Sequence, residues 1–188
     1  MRERFVQEEY RLALIEAATG LAEQARSLGT DLDDRQLSWD PPSGGWSIGE
    51  VLEHLCLVND SYFDRLSGLL DRSLPAESVD PGREWEATWM GDFWSKSMNW
   101  EWRLPTVRRY NPVAQRPAIV EEYLLRQDRL LALIDRAAPY DWNTTRMHAP
   151  ASRFIKLNLG DCFTLILAHE VRHMKQVIRI RAQRQFPH

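Results

Sequence analysis

Apolar residues recur at three- and four-residue spacing in four long stretches of the chain, the period of helices that each bury one face. The first runs from about Arg4 to Leu28, with Tyr10, Leu14, Ala18, Leu21, Ala25 and Leu28 inward, and Gly29 is placed to end it. The second opens at GGWSIGEVLEHL. Ser47 is its N-cap, Glu50 completes a capping box, and Trp46 and Val51 form the hydrophobic staple around them. Its inward face, Val51, Leu55, Val58, Tyr62, Leu66 and Leu69, carries it to about Arg72. The third starts at Pro117, a favoured first helical residue, and Pro139 stops it. The fourth follows Asn158 as cap and runs through Phe163, Ile166, His169, His173 and Val177 to about Arg184. No segment reads convincingly as a strand.

These four helices predict an all-α fold, a four-helix bundle in one domain spanning residues 1–188. The connection from Ser73 to Arg116 is long, and Pro75, Pro81, Pro105 and Pro112 interrupt it. A connection of that length can cross the bundle and lay the next helix parallel to the one before, which predicts up-down-down-up order. The same connection holds Trp85, Trp89, Trp94, Trp100 and Trp102, five of the eight tryptophans. Trp85, Trp89 and Phe93 have helical spacing, so a short helix is expected across the bundle. Packing is the preferred role for this cluster. An aromatic wall over a pocket for an apolar or planar substrate and a dimer contact are the other two.

Composition narrows the class. The content is 44% apolar and 27% charged, that of a globular protein. The net charge of −3 argues against nucleic acid as a partner. Cys56 and Cys162 form no C-x-x-C pair, which fits a reducing cytoplasm. The start, MRERFVQEEYRLALIEAA, lacks a signal-peptide layout, and no apolar run is long enough to cross a bilayer, so no membrane partner is expected.

The chemistry concentrates in AHEVRHMKQ, Ala168 to Gln176, which contains H-E-x-x-H. On a helix, His169 and His173 project from one face and can reach one metal ion. Two histidines bonded to protein or water are the competing reading. A peptidase of this kind needs a further ligand, usually downstream. No Asp or Glu follows His173, Gln176 and Arg179 stand where the extended motif has Gly and His, and His188 lies beyond a proline. The third ligand must come from upstream, and His54, two turns into the second helix, is the best candidate. Three imidazoles leave a divalent ion with open positions, whereas closed structural zinc has four protein ligands, so the set suggests catalysis by activating water or a thiol.

Other residues are open to more than one role. Glu170 is a candidate general base, or an exposed helix glutamate paired with Arg172 or Lys175; the surface pairing is preferred. Asn59, Asp60, Gln127 and Gln176 are candidate acceptors for the second ring nitrogens of the histidines. For Gln127, a boundary position reaching water is preferred. Cys56 and Cys162 read as small buried residues, and His148 as a loop histidine.

The stretches GGWSIGEVLEHL and LNLGDCFTLILAHEVRHMKQVIRI, and the spacing between them, resemble the DinB-like (DinB/YfiT) metalloprotein family over most of the chain from Asp40 to Ile180. The resemblance implies a four-helix bundle with a three-histidine site, often holding zinc or nickel. His54, His169 and His173 fall on its ligand positions, and Gln176 matches a recurrent glutamine. It further implies metal-dependent hydrolase or thiol S-transferase chemistry on a small-molecule substrate, with a low-molecular-weight thiol as cosubstrate in the second case, and a homodimer. A noncatalytic helical metal-binding module is the alternative, and an H-E-x-x-H metallopeptidase stands behind it.

Overall fold

The four predicted helices are the long helices of the computed structural model, which describes residues 4–42, 44–76, 80–99, 106–114 and 116–187. They are α1 (Gln7–Asp31), α3 (Ile48–Arg72), α5 (Ile119–Arg136) and α6 (Leu159–Arg181); α2 (Asp34–Leu37) and α4 (Trp89–Ser97) are shorter. A 3-10 turn, Arg108–Tyr110, lies in the long connection. The chain is mostly helical, as expected of an all-α protein.

The predicted caps at Ser47 and Asn158 both form. The Glu50 N–H donates to Ser47 Oγ at 3.2 Å, and the Ser47 N–H donates to the Glu50 carboxylate at 2.9 Å. Asn158 and Asp161 make the same reciprocal pair at the start of α6. Each box satisfies amides that have no partner inside the helix.

Several boundaries differ from the expectation. Arg4–Val6 is a strand, β1, paired antiparallel with β2 (Glu84–Glu86). A second antiparallel pair joins β3 (Arg146–His148) to β4 (Lys156–Asn158). Three-residue strands are too short to show an alternating pattern. Gly29 does not end α1; a Cβ there would lie 3.0 Å from a Val120 methyl, so the glycine serves close approach of α1 to α5. Helix α5 begins at Ile119 instead of Pro117, because Ala118 takes a left-handed conformation with φ 51°. Helix α6 stops at Arg181, and the chain then brings Phe186 edge-on to Trp39, with ring centroids 5.4 Å apart.

Helix α1 packs on α5 and α6, and α3 packs on the same two. Ion pairs Asp60–Arg126, Asp64–Arg129 and Asp71–Arg136 advance together along α3 and α5, so these two helices run in the same direction. The Tyr10–Thr164 hydroxyl contact joins the starts of α1 and α6, and Asp31–Arg181 joins their ends. The apolar faces meet in one core cluster that includes Leu21, Leu52, Phe63, Tyr123, Leu130 and Phe163. Each such side chain contributes roughly 1.5–3 kcal/mol by leaving water.

The tryptophan-rich connection is held against α6. Trp85 is buried, its indole N–H donates to Asn158 Oδ1 at 3.0 Å, and its ring stacks on Tyr10 at 4.6 Å. Thr88 caps α4 and also donates its N–H and hydroxyl to the Asp161 carboxylate. A Cβ at Gly91 would sit 2.1 Å from that carboxylate, so glycine is required for α4 to lie this close. Trp89 is 66% exposed. Trp100, Trp102 and Pro105 lie outside the described residues. No helix among the described residues is long and apolar enough to cross a membrane.

Candidate metal centre

The second turn of α3 faces the middle of α6, which brings His54 against His169 and His173. His169 Nε2 lies 3.2 Å from His54 Nε2 and 3.1 Å from His173 Nε2. One candidate ligand atom from each of the three residues falls within 4.8 Å of the others. Zinc–nitrogen bonds of about 2.0–2.1 Å in a tetrahedron place neighbouring nitrogens about 3.3 Å apart, close to the two separations found here.

The outer nitrogens show why the centre suits a cation. His54 Nδ1 lies 2.7 Å from the Tyr110 carbonyl oxygen. A carbonyl only accepts, so Nδ1 carries the proton and Nε2 turns a lone pair inward. His173 Nδ1 donates to Gln176 Oε1 at 3.0 Å, with the same consequence. His169 can direct at most one proton at these two lone pairs. His169 Nδ1 is itself buried and has no hydrogen-bond partner among the described residues. Inward lone pairs on a convergent set are what a divalent ion satisfies.

Burial disfavours the imidazolium form throughout. Desolvation lowers the His54 pKa, and it holds His169 well below the usual histidine range, with His173 and His54 adding repulsion. Desolvation, followed by the nearby His54, brings His173 down to about 3. Neutral imidazole is the form that binds metal.

A cavity of about 670 Å³ opens beside the three rings. Its walls come from α3 (Val58, Tyr62), α6 (Leu165, Ile166) and α4 with its following turn (Trp94, Met98). Trp46, expected only to staple the start of α3, also lines it and packs on two of the rings. Its indole lies 4.7 Å from the His54 ring and 6.2 Å from His173, nearly parallel to the latter. The tryptophan cluster thus divides: Trp85 packs in the core, and Trp94 forms cavity wall.

Glu170 is not on the surface, which corrects the preferred reading. It is wholly buried, and its Oε1 accepts from Asn59 Nδ2 at 2.6 Å and from Gln127 Nε2 at 2.8 Å. It is absent from the residues that line the cavity. Desolvation outweighs these hydrogen bonds and raises its pKa to about 7. Gln127 is likewise buried and does not reach water. The reason is shared: α3, α5 and α6 pack closely enough to enclose one polar group from each.

Of the four candidate acceptors, only Gln176 serves a histidine. Asp60 pairs with Arg126, and the acceptor for His54 is a backbone carbonyl that no side-chain pattern announces. Cys56 and Cys162 are buried as expected; desolvation pushes the Cys56 thiol up to about 12 and Cys162 well above its usual value. His148 is exposed on β3, and His188 lies outside the described residues.

Comparison with known proteins gives one family. The family model described as the DinB superfamily matches residues 19–177. No curated protein and no solved structure matches.

Proposed function

We propose, from the premise that this chain belongs to the DinB superfamily, that it is a metal-dependent enzyme. His54, His169 and His173 hold one divalent ion, zinc or nickel, and the chemistry is that of a hydrolase or a thiol S-transferase acting on a small molecule. The observation that carries this reading is the convergence of three imidazole Nε2 atoms, two of them with their Nδ1 protons already committed to Tyr110 and Gln176. When bound, the ion supplies Lewis acidity, which lowers the pKa of water or a thiol and polarises a carbonyl.

The chain's own residues prepare that chemistry. The Tyr110 carbonyl and Gln176 fix ring orientation, Trp46 covers one side of the rings, and the apolar cavity wall limits water. A cavity beside the rings supports an enzyme over a purely structural metal module. The enclosure of Glu170 by Asn59 and Gln127 weighs against a metallopeptidase that uses it as general base. The same-direction pairing of α3 with α5 and of α1 with α6 supports a four-helix bundle of up-down-down-up order. A cytoplasmic homodimer completes the proposal, with a low-molecular-weight thiol as cosubstrate if the reaction is a transfer.

Metal analysis tests it. Purified protein is expected to carry about one equivalent of zinc or nickel per chain, and His54→Ala, His169→Ala and His173→Ala each to weaken retention sharply. Stoichiometric metal that survives all three substitutions would sink the assignment.

A further inference from the structure

Charge and surface in the cavity point to what it takes. Its broadest walls are hydrocarbon and aromatic: Trp46, Trp94, Met98, Val107, Ile155 and Ile166. A polyhydroxylated or peptide-like occupant would bury many polar groups there without partners, which disfavours it. The three imidazoles beside it carry no negative charge. Three histidines bind a metal as neutral ligands, so a divalent ion keeps its full charge. No Asp or Glu belongs to the lining among the described residues. The two carboxyls next to these histidines in sequence lie elsewhere: Glu170 is enclosed between α3, α5 and α6, and Glu53 pairs with Arg116. A volume of about 670 Å³ accommodates a ring and a short chain.

We propose that the cavity selects a small organic anion with an apolar body, its carboxylate or thiolate head directed to the histidine cluster and its aromatic or branched hydrocarbon part against Trp46, Trp94 and Met98. This rests on the metal reading above and adds the substrate class. The anionic head offsets the charge that three neutral imidazole ligands leave on the ion, and the low-dielectric wall strengthens that attraction. The apolar body removes the exposed faces of the wall from water.

The test compares probes on zinc-loaded protein by calorimetry, with tryptophan fluorescence as a second readout. Phenylacetate and benzyl mercaptan carry both features, acetate lacks the body, and benzyl alcohol lacks the charge. Binding of either aromatic anion at least roughly tenfold tighter than both controls is expected. Acetate equal to phenylacetate, or benzyl alcohol equal to both anions, overturns the proposal. Trp94→Leu should weaken phenylacetate and leave acetate unchanged; equal weakening of both argues against the body subsite. If that variant does not fold, the comparison on the unmodified protein decides. Protein that fails to retain zinc sinks the metal reading, whereas full zinc with no discrimination among probes sinks this inference alone.

Discussion

His54 donates its Nδ1 proton to the carbonyl oxygen of Tyr110 at 2.7 Å, so a residue of the long connection orients a ring on α3. Tyr110 is buried, and its hydroxyl accepts from Ser61 Oγ at 3.1 Å, which ties the 3-10 turn back to the same helix. Tyr110→Ala removes the packing that holds this carbonyl in place. Zinc affinity is expected to fall about tenfold, the lower end for an outer partner of a metal-bound histidine. Tyr110→Phe keeps the ring and should stay near the parent value. Competition with a chromogenic chelator measures both; equal affinity in the Ala variant would show that the turn does not orient His54.

Gln176 performs the corresponding service for His173. Gln176→Ala leaves the Nδ1 proton without its acceptor and should weaken zinc binding roughly 10–100-fold. Gln176→Glu keeps an acceptor oxygen and should retain most of the affinity. If the Ala and Glu variants bind zinc equally, the acceptor role is wrong.

Glu170 links folding to pH. Its pKa rises from the ordinary 4.5 to about 7 in the folded chain, mainly through desolvation. Between these values the folded state holds a proton that the unfolded state has lost, so stability falls as pH rises through that window. Glu170→Gln removes the titration and mimics the neutral acid. Its stability relative to the parent chain should therefore rise between pH 4.5 and 8, by roughly 2–3 kcal/mol. The histidines, whose depressed pKa values give the opposite slope, are common to both proteins and cancel in the difference. Urea denaturation of chelator-treated protein at pH 5 and pH 8 measures it; a difference that does not change with pH contradicts the buried-acid assignment.

Gly160 tests how closely the connection is docked. A Cβ there would lie 2.2 Å from the Trp85 indole, whose N–H is already held by Asn158. Gly160→Ala is expected to cost roughly 2 kcal/mol by overpacking, read from the urea midpoint, and to disturb the near-ultraviolet signal of the buried tryptophan. An unchanged midpoint would mean that Trp85 moves aside without loss.

Much of the centre was legible in the sequence. His169 and His173 stand four apart on a strongly periodic helix, and a chain with few histidines leaves few choices for a third. The Ser47 capping box and the Asn158 cap are equally local, since the partners lie within one turn; the reciprocal Asp161 contact at Asn158 is added by the structure. Glu170 was the instructive failure. Its spacing matches a peptidase base, and basic neighbours on its own helix invited a surface pairing. One residue along a helix turns the side chain by about 100°, which directs Glu170 away from the cavity without specifying what meets it there.

The sequence by itself determined the long helices, the caps at Ser47 and Asn158 and the shared face of His169 and His173, because those depend on interactions within four residues. Tertiary structure alone decided the rest. It brought His54 Nε2 to 3.2 Å from His169, placed the Tyr110 carbonyl 56 residues away against His54, and enclosed Glu170 between Asn59 and Gln127, 111 and 43 residues distant. Such contacts depend on the relative rotation and height of packed helices. That is a property of the whole core, and no local spacing records it.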